Sequence, residues 1–120
     1  MTAYSDRPSA LDALLTLGPD MDAALDAVRR SALHADGQSA FLDRMTVRRA
    51  LDEFTRGNLS EALLESWAEV LHGAEDVELD PIDRDFLAEA LFELSTPELF
   101  GPMDEIVSNL EARERRMDVG

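Results

Sequence analysis

Glu69, Val70, Leu71 and His72 spell an E-x-x-H, which sets a carboxylate and an imidazole one turn apart on a helix. Two such motifs with two further glutamates hold a di-iron centre in a four-helix bundle. This chain has one, because its other histidine, His34, follows Ser31 at that spacing. Gly73 comes directly after His72. His72 therefore reads as the end of a helix, where a basic side chain complements the dipole. Asp76, Glu78 and Asp80 alternate as at the start of a calcium loop. An EF-hand needs glycine at its sixth position and a bidentate glutamate at its twelfth. Pro81 and Leu87 stand there, so a solvated acidic loop is expected and no metal site.

Glu89 and Glu93 lie one turn apart with Asp85 on the same face. Paired carboxylates do acid–base chemistry when a cleft and a partner separate their proton affinities. Nothing in the sequence points to such a cleft. Two readings stay open: a solvated helix face, or a ridge of negative charge turned to a basic protein. Like charges at i,i+4 destabilise a helix, which calls for some offsetting reason. Arg29-Arg30 and Arg48-Arg49 have the charge to hold a phosphate, but pairing to the acidic excess is the expected use. There is no nucleophile elbow, glycine-rich phosphate loop or dinucleotide fingerprint. The chain has no cysteine, and all 11 of its basic residues are arginine. Thiolate chemistry, a Walker A loop and a lysine Schiff base are therefore excluded. No catalytic residue, cofactor or metal is expected, and the chain does not read as an enzyme.

Charge is the strongest compositional feature. The net value is −15, from 26 acidic and 11 basic residues. Between Glu75 and Glu105 eleven acids face Arg84 alone, so about a quarter of the chain carries ten of those fifteen charges. Such a surface repels nucleic-acid phosphates and anionic lipid and attracts a basic protein. The expected partner is a basic protein, with no nucleic acid and no membrane; the oligomeric state stays open. The first residues lack the basic-then-apolar order of a signal peptide, and no apolar run nears the ~20 residues of a membrane span. A cytoplasmic protein is expected.

The elements that must position these groups follow from periodicity. At 120 residues with 45% apolar content, the chain is long enough for one core. It reads as an all-α, single-domain bundle of five to six amphipathic helices. Residues 1–8 are expected to form a flexible arm, 9–116 the bundle and 117–120 a frayed end. The spacing predicts a short helix from Ser9, as cap, to Leu17, then one from Pro19 or Asp20 to about His34. A loop at 35–38 and a helix from Ser39 to Thr55 come next, the latter burying Leu42, Met45, Leu51 and Phe54. Gly57 ends that helix and Ser60 caps another, whose apolar stripe includes Leu63, Leu64, Trp67, Ala68, Val70 and Leu71 and which Gly73 ends. These two helices are expected to pack as an αα-hairpin. Residues 74–80 form an acidic connector with room for a brief extended segment at Val77 and Leu79. Asp80-Pro81 opens a helix with Ile82, Phe86, Leu87, Ala90, Leu91 and Leu94 inward. Ser95-Thr96-Pro97 stops it. Leu99 and Phe100 are expected to fold back onto the core before a last helix from Met103 to about Arg116.

Two segments resemble small acidic helical immunity proteins of bacterial toxin systems, of the colicin D and contact-dependent-inhibition kind. One is F-x-x-G-x-L-S-x-x-x-L-x-x-W-A, at Phe54, Gly57, Leu59, Ser60, Leu64, Trp67 and Ala68; the other runs from Ala90 to Met103. The resemblance covers roughly residues 40–105. It implies a protein that covers the active site of a basic nuclease toxin, with carboxylates in place of phosphates. Asp83, Asp85, Glu89 and Glu93 are then the expected contact ridge, beside Glu75, Asp76, Glu78 and Asp80. Two alternatives stand next to it. One is a helical adaptor or regulatory subunit that binds another protein through an apolar patch including Leu99 and Phe100. The other is a small metal-dependent enzyme built on Glu69 and His72.

Overall fold

Where an apolar stripe is long enough to bury a helix face, a helix forms. A computed structural model of the chain describes residues 7–18, 20–30 and 40–119. Among them are seven α-helices: α1 Arg7–Leu15, α2 Met21–Arg30, α3 Arg44–Thr55, α4 Glu61–Gly73, α5 Arg84–Ser95, α6 Pro97–Phe100 and α7 Met103–Val119. Two three-residue strands, β1 Ala40–Leu42 and β2 Val77–Leu79, pair in parallel with Phe41 opposite Glu78. The architecture is an all-α globule, as the periodicity implies. The helix beyond the five to six expected is the single turn α6. Among the described residues no helix is long and apolar enough to cross a membrane.

Trp67 stands at the centre of the core. Its ring is fully buried, and its indole Nε1–H donates to the Leu14 carbonyl at 2.9 Å. Leu64, Trp67, Ala68 and Leu71 make the buried face of α4. Phe86, Leu87, Ala90, Leu91 and Leu94 make that of α5. These two faces form the most extensive helix pair, while α3 and α5 both pack on α7, and α1 on α2. The expected α3–α4 hairpin is therefore a minor contact. A short connection makes two helices neighbours without matching their faces, and the Trp67 face has its apolar complement in α5.

The helix ends show local chemistry at work. α3 closes with a Schellman motif: Asn58 N–H bonds the Glu53 carbonyl at 2.9 Å and Gly57 N–H that of Phe54 at 3.0 Å. Gly57, at φ 82°, takes the left-handed position there. Ser60 caps α4 by accepting from Leu63 N–H at 3.1 Å, as expected. Asp80 accepts from Ile82 N–H at 3.1 Å and opens a 3-10 turn, Pro81–Asp83, that runs into α5.

Several expectations are corrected. Ser39 does not start α3. Residues 40–42 form β1, and Asp43 is the cap, accepting from Thr46 N–H at 2.9 Å. Leu42 is buried, but from the strand; Met45 is exposed, Phe54 half-buried, and the inward face is Val47, Ala50 and Leu51. Ser9 lies exposed inside α1, which starts at Arg7, so Ser9 is no cap and the bundle reaches into the expected arm. α1 ends at Leu15, before Leu17. At the other end α7 continues to Val119. Ile82 is 87% exposed, because the 3-10 turn breaks the phase of α5's stripe before it reaches that residue. Leu99 and Phe100 are 68% and 43% exposed and do not return to the core. α2 is described to Arg30. The expected arm at 1–6, the end of the second helix at 31–34 and the loop at 35–38 lie outside the described residues.

Candidate functional site

Helix α5 organises the candidate site. Its buried face is fixed by Phe86, Leu87, Ala90, Leu91 and Leu94. The 3.6-residue period then turns Asp85, Glu89 and Phe92 outward in one row, and all three are exposed. Glu93 belongs to the flank of that row. Its side chain is 15% exposed and meets Arg113 of α7, whose Nη2 donates to Oε1 at 2.6 Å. The same guanidinium reaches Glu89 Oε2 at 3.2 Å. The hydrogen bond to Glu93 is the largest cause raising Arg113 above the ordinary arginine value; desolvation opposes it, and the charges of Glu93 and Glu89 add to it. This clasp is the offsetting reason that the like-charged Glu89/Glu93 pair required.

Asp83, Asp85 and Glu89 come together around an open cavity of 570 Å³, with Arg84, Arg113 and Arg116 interleaved and Pro81, Ile82, Phe86 and Met117 as apolar lining. Three carboxylates thus stand among three arginines. Two of the arginines come from α7, outside the acidic segment counted in the sequence. Asp83 also lies 3.9 Å from Arg44. Asp76 and Asp80 are half-buried in the connector around β2, where the Asp76 carbonyl accepts from Ala40 N–H at 2.8 Å. Of the eight expected contact residues, Glu75, Glu78, Asp85 and Glu89 are exposed, and Asp76, Asp80, Asp83 and Glu93 are partly withdrawn.

At the other end of α5 the surface changes character. The Phe92 ring meets Phe100 edge-on, with centroids 5.4 Å apart and an interplanar angle of 84°. The His72 ring lies 6.1 Å from the Phe92 ring, at 38° to it. Leu99 is exposed beside this cluster on α6, and Glu69 and Glu98 are exposed on α4 and α6. The E-x-x-H residues therefore face solvent, and His72 is part of an aromatic group. Among the described residues no three His, Asp or Glu side chains gather as metal ligands would.

Two features escaped the sequence reading. Phe92 follows Glu89 at a spacing of three, so its outward position was legible from the same period that placed the carboxylates. Glu114, only 3% exposed, continues the inward stripe of Ile106, Val107 and Leu110. An acid at a stripe position signals a buried ion pair. Arg48 supplies it, with Nη2 at 2.6 and 2.8 Å from the two Glu114 oxygens, and Arg44 lies at 4.0 Å. The expected use of Arg48 in internal pairing thus has a structural counterpart.

No family model, curated protein or solved structure matches this chain.

Proposed function

We propose that this chain is a non-catalytic protein-binding module that docks on a basic protein. In its fuller form the proposal is an immunity protein: the partner is a nuclease-type bacterial toxin, and binding occludes the toxin's active site. The observation that carries it is the lopsided charge. Eleven acids between Glu75 and Glu105 face one arginine, and Glu75, Glu78, Asp85 and Glu89 among them are exposed. Carboxylates so displayed raise the encounter rate with a basic surface and occupy the places that nucleic-acid phosphates take on a nuclease. The segments Phe54–Ala68 and Ala90–Met103 support the same reading by resemblance.

The test is a pull-down from native lysate with the wild-type chain and with Asp85→Arg/Glu89→Arg. Glu93 is left intact because it is the shorter and more buried arm of the Arg113 clasp; the variant gives up the exposed Glu89 arm, so its melting temperature is checked beside the wild type. A basic protein held by the wild type and lost by the variant is expected. Equal retention by both would remove the α5 carboxylates from the interface.

A second reading has a specific observation in its favour. The exposed Leu99 and Phe100 suit a helical adaptor that binds through an apolar patch. A partner of ordinary charge, retained in high salt, would favour it over charge mimicry.

A further inference from the structure

We infer that the docking surface centres on Phe92, Leu99 and Phe100, and that its occupant is a basic protein segment carrying an apolar anchor side chain. The inference rests on the proposed binding of a basic partner and assigns that partner's place on the fold.

Three observations carry it. First, the exposed apolar side chains are grouped: Phe92 and Phe100 hold each other edge-on at 5.4 Å, and Leu99 adjoins them in α6. Single exposed apolar residues are ordinary, whereas a group of aromatics rimmed by polar residues marks an interaction surface. Secondly, the rim has one sign. Glu69 and Glu98 are exposed around the patch, and Arg84, at the far end of α5, is the only arginine between Gly57 and Ala112. Thirdly, Glu89 and Glu93 share Arg113, whereas Glu69 and Glu98 have no ion pair among the described residues. The aromatic end of α5 therefore has unpaired carboxylates beside it. A cationic segment laid there sets its charges against Glu69 and Glu98 and an aliphatic or aromatic side chain into the Phe92–Phe100 corner. Buried aromatics at the centre of an interface supply most of its affinity, while rim charges set its rate and salt dependence.

The experiment titrates the ¹⁵N-labelled full chain with two synthetic helical peptides of equal positive charge. One has leucines at i, i+4 and i+7 between arginines, and the other has glycine–serine in place of the leucines. The leucine peptide is expected to bind about tenfold tighter and to shift the amides of Phe92, Leu99 and Phe100 most. Phe92→Ser/Leu99→Ser, with its Trp67 emission and melting temperature unchanged, should lose that advantage. If that variant unfolds, Leu99→Ser alone, wholly on the surface helix, is the second probe. Equal binding of both peptides overturns the inference and leaves acidic recognition standing. Binding of neither peptide overturns the underlying reading as well. Concentration-dependent shifts of the same residues without peptide would instead assign the patch to a second copy of the chain, which also overturns the inference.

Discussion

Arg113 and Glu93 meet across α7 and α5, with Nη2 and Oε1 2.6 Å apart, and the same guanidinium reaches Glu89 at 3.2 Å. One arginine thus holds two carboxylates that their own helix sets one turn apart. In a chain of net charge −15, this clasp joins α5 and α7 and also offsets one of the two negative charges that a partner would feel there.

Replacing Arg113 by alanine separates these roles. The clasp is partly open to water, with Arg113 28% and Glu89 61% exposed at their side chains, so its loss should destabilise the fold by only about 1 kcal/mol. Raised above its ordinary value, Arg113 contributes stability at every pH below the unfolded arginine value and loses it only as pH rises through the folded one. Urea titrations should therefore show the same deficit from about pH 6 to about pH 10. A deficit that grows across that window would contradict the assignment. The variant, with two carboxylates freed, should bind a basic partner several-fold more tightly at low salt.

Trp67→Phe tests the centre of the core. It removes the N–H that satisfies the Leu14 carbonyl at 2.9 Å and leaves a void where the indole was fully buried. A loss of about 3 kcal/mol is expected in equilibrium unfolding. A loss under about 1 kcal/mol would mean that the carbonyl finds another donor.

Two glycines should respond in opposite directions. Gly57 has φ 82° and open space around its Cα, so Gly57→Ala meets no clash and still costs about 1 kcal/mol for the left-handed backbone. Gly73 also has open space, and the positive-φ glycines are Gly57 and Gly101. Gly73→Ala at the last position of α4 should stabilise by about 0.5 kcal/mol. Thermal melts of the two variants against wild type give the signs directly.

For the buried pair, removal of the base should be worse than removal of the acid. Arg48→Ala leaves Glu114, 3% exposed, short of its closest cation and should destabilise by about 2 kcal/mol. Glu114→Leu leaves Arg48, whose side chain is 41% exposed, free to turn to water and should cost less. The reverse order in chemical denaturation would show that the pair is held by the arginine's packing and not by the carboxylate's burial.

The parts of this fold that are set locally were legible in the sequence. Asp80 before Pro81 marks the entry to α5, Ser60 caps α4, Gly57 closes α3, and the α5 stripe from Phe86 to Leu94 follows its period. What depended on distant partners was not. β1 is three residues of apolar sequence that continues a helical pattern, and it is a strand only because β2 lies 37 positions on, at Ala40 against Val77. α4 chose α5 over α3 by the fit of two faces, which no single segment displays. At the candidate site, exposure of Asp85 and Glu89 followed from helix geometry. The withdrawal of Glu93 required Arg113, 20 positions away, and Phe92 gains its ring partner Phe100 only through the placement of α6. Leu99 and Phe100 were read as core on their composition; the one-turn helix between Pro97 and Gly101 carries them outward instead.

The central claim, recognition of a basic protein by an acidic face, is tested most directly by the affinity of the captured partner for the full chain at about 50 mM and about 500 mM salt. Screening over those concentrations shortens the reach of surface charge from roughly 14 to roughly 4 Å. Weakening of tenfold or more is expected, with a basic protein as the partner. An affinity that stays the same, or a partner without positive charge, would contradict the account.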